Sequence, residues 1–354
     1  MKISELGEFG LIEHLRSRLT TKPGVLHSIG DDAAVLSPLS TPVVTCDALI
    51  EGVHFRRDWT TPFLLGRKAM AVNVSDIAAC GAIPVAAFVS LGLSTPFAEE
   101  ADSLKWLSAL YDGFQSAADE FGFTLAGGDT TRTSNQIMIS ITLIGEVEAD
   151  SREAGAPILR SGAREGDALL VTGTLGDAAA GWFLLEHPEI KVSSATRERL
   201  LEHHFNPQPR VREMRAALLA SGSTPGYAGV RAALDLSDGL AGDAAHIASR
   251  SQLQLQIETE KLPISPACRE AASAALAAGF SISAEKWALG GGEDYELLLC
   301  VAPESSDSII HAIQSQTGTS ATVIGCCLPQ ASPPVVLLGA DGEVEFAPQA
   351  WTHF

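Results

Sequence analysis

The sequence predicts an α/β or α+β protein of two domains, and three observations predict it. Its 354 residues exceed one ordinary domain, and 46% apolar against 19% charged residues is the composition of a packed globule rather than a disordered chain. Runs rich in β-branched residues alternate with alanine-rich stretches of helical length. A polar segment at 148–167 (EADSREAGAPILRSGAREGD) breaks this alternation with Gly, Pro and charges, dividing 1–148 from 149–354.

The elements follow in order. A helix is expected over 8–19, then a strand at 42–47 (PVVTCD), a helix over 63–80, a strand at 86–93, a long helix over 97–122 and a strand at 136–147 (QIMISITLIGEV). Beyond the boundary come a strand at 168–172, helices over 176–186, 194–204, 209–221 and 239–250, and a strand at 252–258. A helix over 266–278, strands at 296–301 and 322–326, and a helix over 305–316 complete the second half. The apolar stretch 69–93 is as long as a membrane span, but it contains Asn73, Asp76 and Pro84. An Asp near a bilayer centre costs roughly 2.5–3.5 kcal/mol, so a helix and a strand of a soluble core are expected there instead. No internal repeat is visible.

A formal charge of −19, from 43 acidic and 24 basic residues, repels polyphosphate backbones and anionic membrane surfaces and excludes nucleic acid as a partner. The start, MKISELGEFGL, has no basic region followed by an apolar run, so a cytoplasmic protein is expected. The six cysteines contain no CxxC pair and read as reduced thiols.

Aspartates carry the functional signal. SIGDDAAVL places Asp31 and Asp32 after a glycine, VVTCDALIEGVHF places Asp47 at a strand end, and LAGGDTTR places Asp129 after two glycines. ALDLSDGLAGD holds Asp235 and Asp238, and Asp76 is the lone charge in an apolar helix, three residues from Asn73 on the same face. Any one of these is equally a turn or helix-cap residue. Five segments with the same habit point to strand ends converging on a ligand, as they do in α/β folds. Converging carboxylates raise one another's pKa, and a hard, oxygen-preferring dication such as Mg²⁺ relieves the repulsion. Mg²⁺ typically bridges one or two carboxylates to substrate phosphates, which makes this a nucleotide or phosphate site. No G-x-x-x-x-G-K-[ST], G-x-G-x-x-G or kinase HRD/DFG motif occurs. GGDTTR (127–132) and GGGEDYE (290–296) instead offer main-chain N–H groups beside acidic residues.

SIGDDAAV, TCDALIEGVHF, KAMAVNVSDIAACGA, AGGDTTR, RSGAREGD, VTGTLGDAAAG, LDLSDGL and LGGGEDYEL, in this order, resemble the thiamine-monophosphate kinase family. That family belongs to the superfamily of aminoimidazole ribonucleotide synthetase, selenophosphate synthetase and hydrogenase maturation factors. The likeness runs from GEFGLI to the final WTHF. It implies a two-domain aminoimidazole ribonucleotide synthetase-like fold: an N-terminal mixed sheet with helices that pairs in a homodimer, and a C-terminal α/β domain completing the substrate site. It further implies ATP-dependent phosphorylation of thiamine monophosphate to thiamine diphosphate with several Mg²⁺ ions. By motif, the metal ligands are Asp32, Thr45, Cys46, Asp47, Asp76, Asp129, Asp235 and Asp238. ATP is met by Tyr111, Gly128, Asp129, Arg160 and Ser237, and thiamine monophosphate by His54, Glu293 and Trp351.

Cys46 departs from the family, which has Ser or Thr there. A thiol is a poor Mg²⁺ ligand, so Cys46 serves only through its carbonyl. The acceptor phosphate is already ionised near neutral pH, so no catalytic base is expected and transfer is direct and in line. Plainer roles stand beside these: a turn histidine for His54, a cap neighbour for Glu293, an apolar tail anchor for Trp351, solvated charges for Arg132 and Arg160. His203, His204 and His246 read as surface or core histidines rather than ligands. Another ATP-dependent synthetase of the superfamily is the alternative, although residues 1–30 contain no cysteine, which selenophosphate synthetase requires, and the chain ends in Phe354.

Overall fold

The structure is a computed structural model in which residues 1–29, 33–148, 156–220 and 229–344 are described. Asp31, Asp32 and Trp351 lie outside them. The chain forms two compact units, Met1–Ile77 with Ala82–Val147, and Ala78–Gly81 with Glu148–Phe354.

In the first unit, α1 (Gly7–Arg16) precedes the short antiparallel pair β1 (Val25–His27) and β2 (Val35–Leu36). β3 (Pro42–Ile50), α2 (Pro62–Ala79), β4 (Ala82–Ser94), α3 (Thr95–Ala98), α4 (Ser103–Phe121), β5 (Thr124–Thr133) and β6 (Met138–Val147) follow. Four strands form a mixed sheet in the order β3-β6-β4-β5, parallel only between β4 and β5. Side chains alternate faces along a strand. Thr45 and Asp47 stand opposite Leu143 and Ile141 of β6, whose side chains are buried. Val44, Cys46 and Ala48 turn the other way and are exposed.

α2 and α4 meet backbone to backbone. A Cβ on Gly66 would lie 2.2 Å from the Leu110 carbonyl oxygen, and one on Gly113 would lie 2.1 Å from that of Phe63. The pair of glycines is therefore what lets α2 sit this close to its neighbour.

The expected helix over 97–122 is broken into α3 and α4. Ser94 caps α3 by accepting from Phe97 N (3.3 Å), and Pro96 sits in its first turn. Asp102 starts α4 afresh, and the chain's amino terminus donates to Ala101 O (2.9 Å) within the gap. β5 is a strand despite its glycines, because β4 supplies a parallel ladder that local propensity does not reveal.

The second unit contains β7 (Ala168–Thr172), α5 (Asp177–Glu186), α6 (Ser194–Phe205), α7 (Val211–Ala220), β8 (Val230–Asp235), α8 (Leu240–Ser251) and β9 (Leu253–Glu258). It continues with α9 (Pro266–Ala277), α10 (Ala284–Gly290), β10 (Leu297–Val301), α11 (Ser306–Thr317), β11 (Ala321–Pro329), β12 (Val335–Gly339) and β13 (Gly342–Val344). Its sheet runs β13-β12-β9-β11-β7-β10-β8, parallel only at β12–β9. β10 is covered on both sides. Leu298 and Cys300 join Ile247 and Ala244 of α8, while Leu297, Leu299 and Val301 join Met214, Ile309 and Ile313 of α7 and α11. This is why its sequence is a continuous apolar run. Among the described residues no helix is long and apolar enough to cross a membrane.

Candidate active site

In the first unit, β3 and α2 bring oxygen donors together. The Thr45 hydroxyl donates to Asp76 Oδ2, and the Asp47 amide donates to Asn73 Oδ1 at 3.1 Å. Asp47 lies in the middle of β3, not at a strand end as its sequence suggests, because β6 continues the ladder as far as Ile50. The Cys46 thiol faces away: Thr142 donates to it at 3.5 Å and Ser140 stands 3.7 Å off. Two carboxylates and a hydroxyl, all hard oxygen donors, fit Mg²⁺, which completes its shell with water and phosphate. Among the described residues no three His, Cys, Asp or Glu side chains cluster closely enough to hold a metal by themselves.

Asp129 is exposed within β5, opposite Ser90 of β4. A Cβ on Gly128 would lie 2.0 Å from Val89 O, so strand approach alone accounts for that glycine. Tyr111 is buried, and its hydroxyl bonds Thr130 beside Asp129; burial pushes its phenol up to about 12. His54 behaves as a turn histidine: its Nδ1 accepts from Ile50 N at 3.1 Å, which leaves the proton on Nε2.

In the second unit, Asp235 closes β8 opposite Leu297, and the Ser237–Gly239 turn packs against 290–293. Gly239 (φ 108°) has no room for a side chain, since a Cβ would meet Gly290 Cα at 2.7 Å. Glu293 N donates to Ser237 O and Tyr295 N to Leu236 O, each at 2.8 Å. These two amides are thus occupied, which corrects the expectation that GGGEDYE offers them to an anion. Glu293 (φ 60°) and Tyr295 (φ 50°) both adopt the left-handed region, at a cost of about 1–3 kcal/mol each. Such strain clusters at functional sites.

Sequence reasoning missed the side chains that hold this loop. Asp243 Oδ2 accepts from Asp238 N at 3.0 Å; burial pushes its carboxyl up to about 7, opposed by that amide and by the charge of Arg160. Arg160, itself exposed, is near enough for its charge to act on the Asp243 carboxyl. Both Asp294 oxygens accept from Gly176 N at 3.0 Å, and burial drives that carboxyl well above its ordinary range. Glu296 takes a bidentate pair from Arg210 (2.6 and 2.5 Å) and a bond from Thr172 (2.7 Å). His204 Nδ1 lies 3.1 Å from Glu293 Oε2. Each partner is remote in sequence, and no local motif announces it. The expected ligands Asp32 and Trp351 fall outside the described residues.

Two units of this kind, a four-stranded mixed sheet and a seven-stranded one, correspond to the AIR synthase related proteins. The model of the N-terminal domain of that family matches residues 30–147, and that of the C-terminal domain matches residues 164–332. The thiamine-monophosphate kinase of Bacillus subtilis (strain 168) is 34% identical over 353 residues, 99% of this chain and 100% of its own length. The crystal structure of thiamine-monophosphate kinase from Stenotrophomonas maltophilia K279a matches with 34% identity and a TM-score of 0.77, covering 96% of this chain and 98% of that one. The structure of AaThiL complexed with AMPPCP and TMP matches with 32% identity and a TM-score of 0.71 over 100% and 99% of the two chains. The chain belongs to the thiamine-monophosphate kinase family.

Proposed function

We infer that the protein transfers the γ-phosphate of ATP to thiamine monophosphate, giving thiamine diphosphate and ADP. The observation that carries this is end-to-end similarity to the thiamine-monophosphate kinases, among them a chain complexed with AMPPCP and TMP. An ATP analogue and the acceptor bound to one relative define the two substrates.

Thr45, Asp47, Asp76 and the Cys46 carbonyl, together with Asp32, Asp129, Asp235 and Asp238, would hold Mg²⁺. When bound, Mg²⁺ supplies positive charge that screens two mutually repelling phosphates. The chain's own residues fix positions. Asn73 anchors the Asp47 backbone, and Asp243 anchors the Asp238 amide. Tyr111, Gly128, Asp129, Arg160 and Ser237 would meet ATP; His54, Glu293 and Trp351 would meet the thiamine moiety. The acceptor oxygen is ionised at neutral pH, so attack is direct and in line without a base or a phosphoenzyme. Dimerisation through the first unit is supported by its sheet face, where Val44 is 64% exposed beside exposed Cys46 and Ala48. We place the protein in the cytoplasm.

Incubation with MgATP and thiamine monophosphate should yield equal amounts of ADP and thiamine diphosphate. No product at any magnesium concentration removes this reading. Chiral γ-phosphate should emerge inverted; retention would require a phosphoenzyme.

A further inference from the structure

α5 is a buried helix with one side chain left out. From Asp177 to Leu184 every residue is buried except Trp182, which is 48% exposed. A single exposed apolar residue is ordinary on a surface, so its surroundings decide whether it has a use. Two walls flank it. On one side α6 comes close: a Cβ on Gly181 would lie 2.3 Å from Leu200 O and 3.1 Å from His204 Cβ. On the other, a Cβ on Gly291 would lie 2.3 Å from Ala179 Cβ, which seats the segment before Glu293 against the helix. Successive helical residues are set about 100° apart, so Trp182 stands about 100° round from Gly181 and about 60° from Ala179, in the arc between the walls. The opposite arc holds Ala180, Phe183 and Leu184, all buried.

Ala178 shares the Trp182 arc one turn earlier and is 1% exposed. Its N–H bonds the Asp294 carboxyl, next to Glu293 in the chain. Across the same arc, His204 Nδ1 of one wall lies 3.1 Å from Glu293 Oε2 of the other. A helical side chain leans over the turn N-terminal to its own Cα, so the Trp182 indole is carried toward Glu293, whose carboxylate is 33% exposed.

We propose that Trp182 is a substrate-binding residue: its indole face stacks on the aminopyrimidine ring whose amino group donates to Glu293. This rests on the proposed kinase reaction with Glu293 at the thiamine moiety. An indole and a carboxylate on adjoining surfaces suit a flat, electron-poor ring bearing an amino group, the ring face on one and the N–H on the other. Such stacking is equal before and during phosphoryl transfer, so it is read in KM and Kd rather than in kcat. The adenine of ATP is also a flat ring with an amino group, and the two KM values separate the candidates.

The test uses the full chain with Trp182→Ala, Trp182→Leu and Trp182→Phe, each measured for KM of both substrates, kcat, thermal midpoint and calorimetric Kd for thiamine monophosphate. An exposed position should tolerate all three with little change in midpoint. Trp182→Ala and Trp182→Leu should raise KM and Kd for thiamine monophosphate about five- to fiftyfold, the weight of one aromatic stacking contact, with kcat and KM for ATP within about twofold. Trp182→Phe should recover most of that loss. Thiamine monophosphate should also quench tryptophan emission more in the wild type than in Trp182→Phe. Unchanged KM and Kd for thiamine monophosphate overturn the proposal, as do Leu serving as well as Phe, equal quenching, or a rise in KM for ATP instead. A wild-type chain that binds thiamine monophosphate but forms no product counts against the kinase reading and not against Trp182; one that binds none removes both.

Discussion

Asp47 and Asp76 come from a strand and a helix that are tied together, the Asp47 amide donating to Asn73 Oδ1 and the Thr45 hydroxyl donating to Asp76 Oδ2. Asp47→Asn keeps the shape and the backbone bond to Asn73 while deleting the charge. Turnover should fall about a hundredfold or more, with circular dichroism and thermal midpoint retained; near-normal activity would take Asp47 out of the metal shell. His203 makes a pH prediction. Burial holds its pKa below the ordinary 6.5, with Asp177 opposing. On acidification the unfolded chain takes up the proton first, so stability is complete above about pH 6.5 and declines as pH falls through the folded-state value. His203→Gln should flatten the acid side of a thermal-midpoint profile recorded from pH 5 to 8, and an unaltered profile would refute this. At this scale the sequence revealed Asp76, a charge isolated in an apolar helix, and Asp235 as one of the recurring aspartates, although not the strand β8 that ends in it. It could not reveal His204, Arg210 or Asp243, whose meaning comes from partners supplied by other segments.

α2 carries Asn73 and Asp76 to β3, and its seat depends on the Gly66–Gly113 crossing with α4. Gly66→Ala or Gly113→Ala forces the backbones apart and should cost about 1–3 kcal/mol in denaturant unfolding. Because α2 also presents site residues, kcat should fall further than the loss of folded protein explains; a stability loss with full kcat in the folded fraction would detach the crossing from the site. Alanine-rich helices such as α2, α5 and α9 were legible to within a residue or two, since their composition and length suit no strand. β5 and α10 were not. Glycines and threonines hid the ladder that β4 imposes on β5, and the Gly290–Gly292 run masked the seven residues of α10. The break between α3 and α4 was also invisible, for it is occupied by the chain's own amino terminus.

For the whole molecule, the two-unit architecture was readable from the polar segment near 148–167, but the sheet orders were not, because strand neighbours such as β11 and β7 are far apart in the chain. The aspartates became an interpretable set through their order, which matches a family, rather than through any one local pattern. If the first unit pairs through its sheet, sedimentation should report twice 37.1 kDa, and Val44→Lys should return a single chain by setting like charges against each other; a wild-type monomer would rule the pairing out. Cys46 adds a built-in gauge of that state. Of the six thiols it alone is exposed, two being intermediate and three buried. A maleimide dye should therefore react with it first, quickly on a solitary chain and slowly once a second copy shields it. Labelling rate plotted against protein concentration then yields an association constant with no substitution at all.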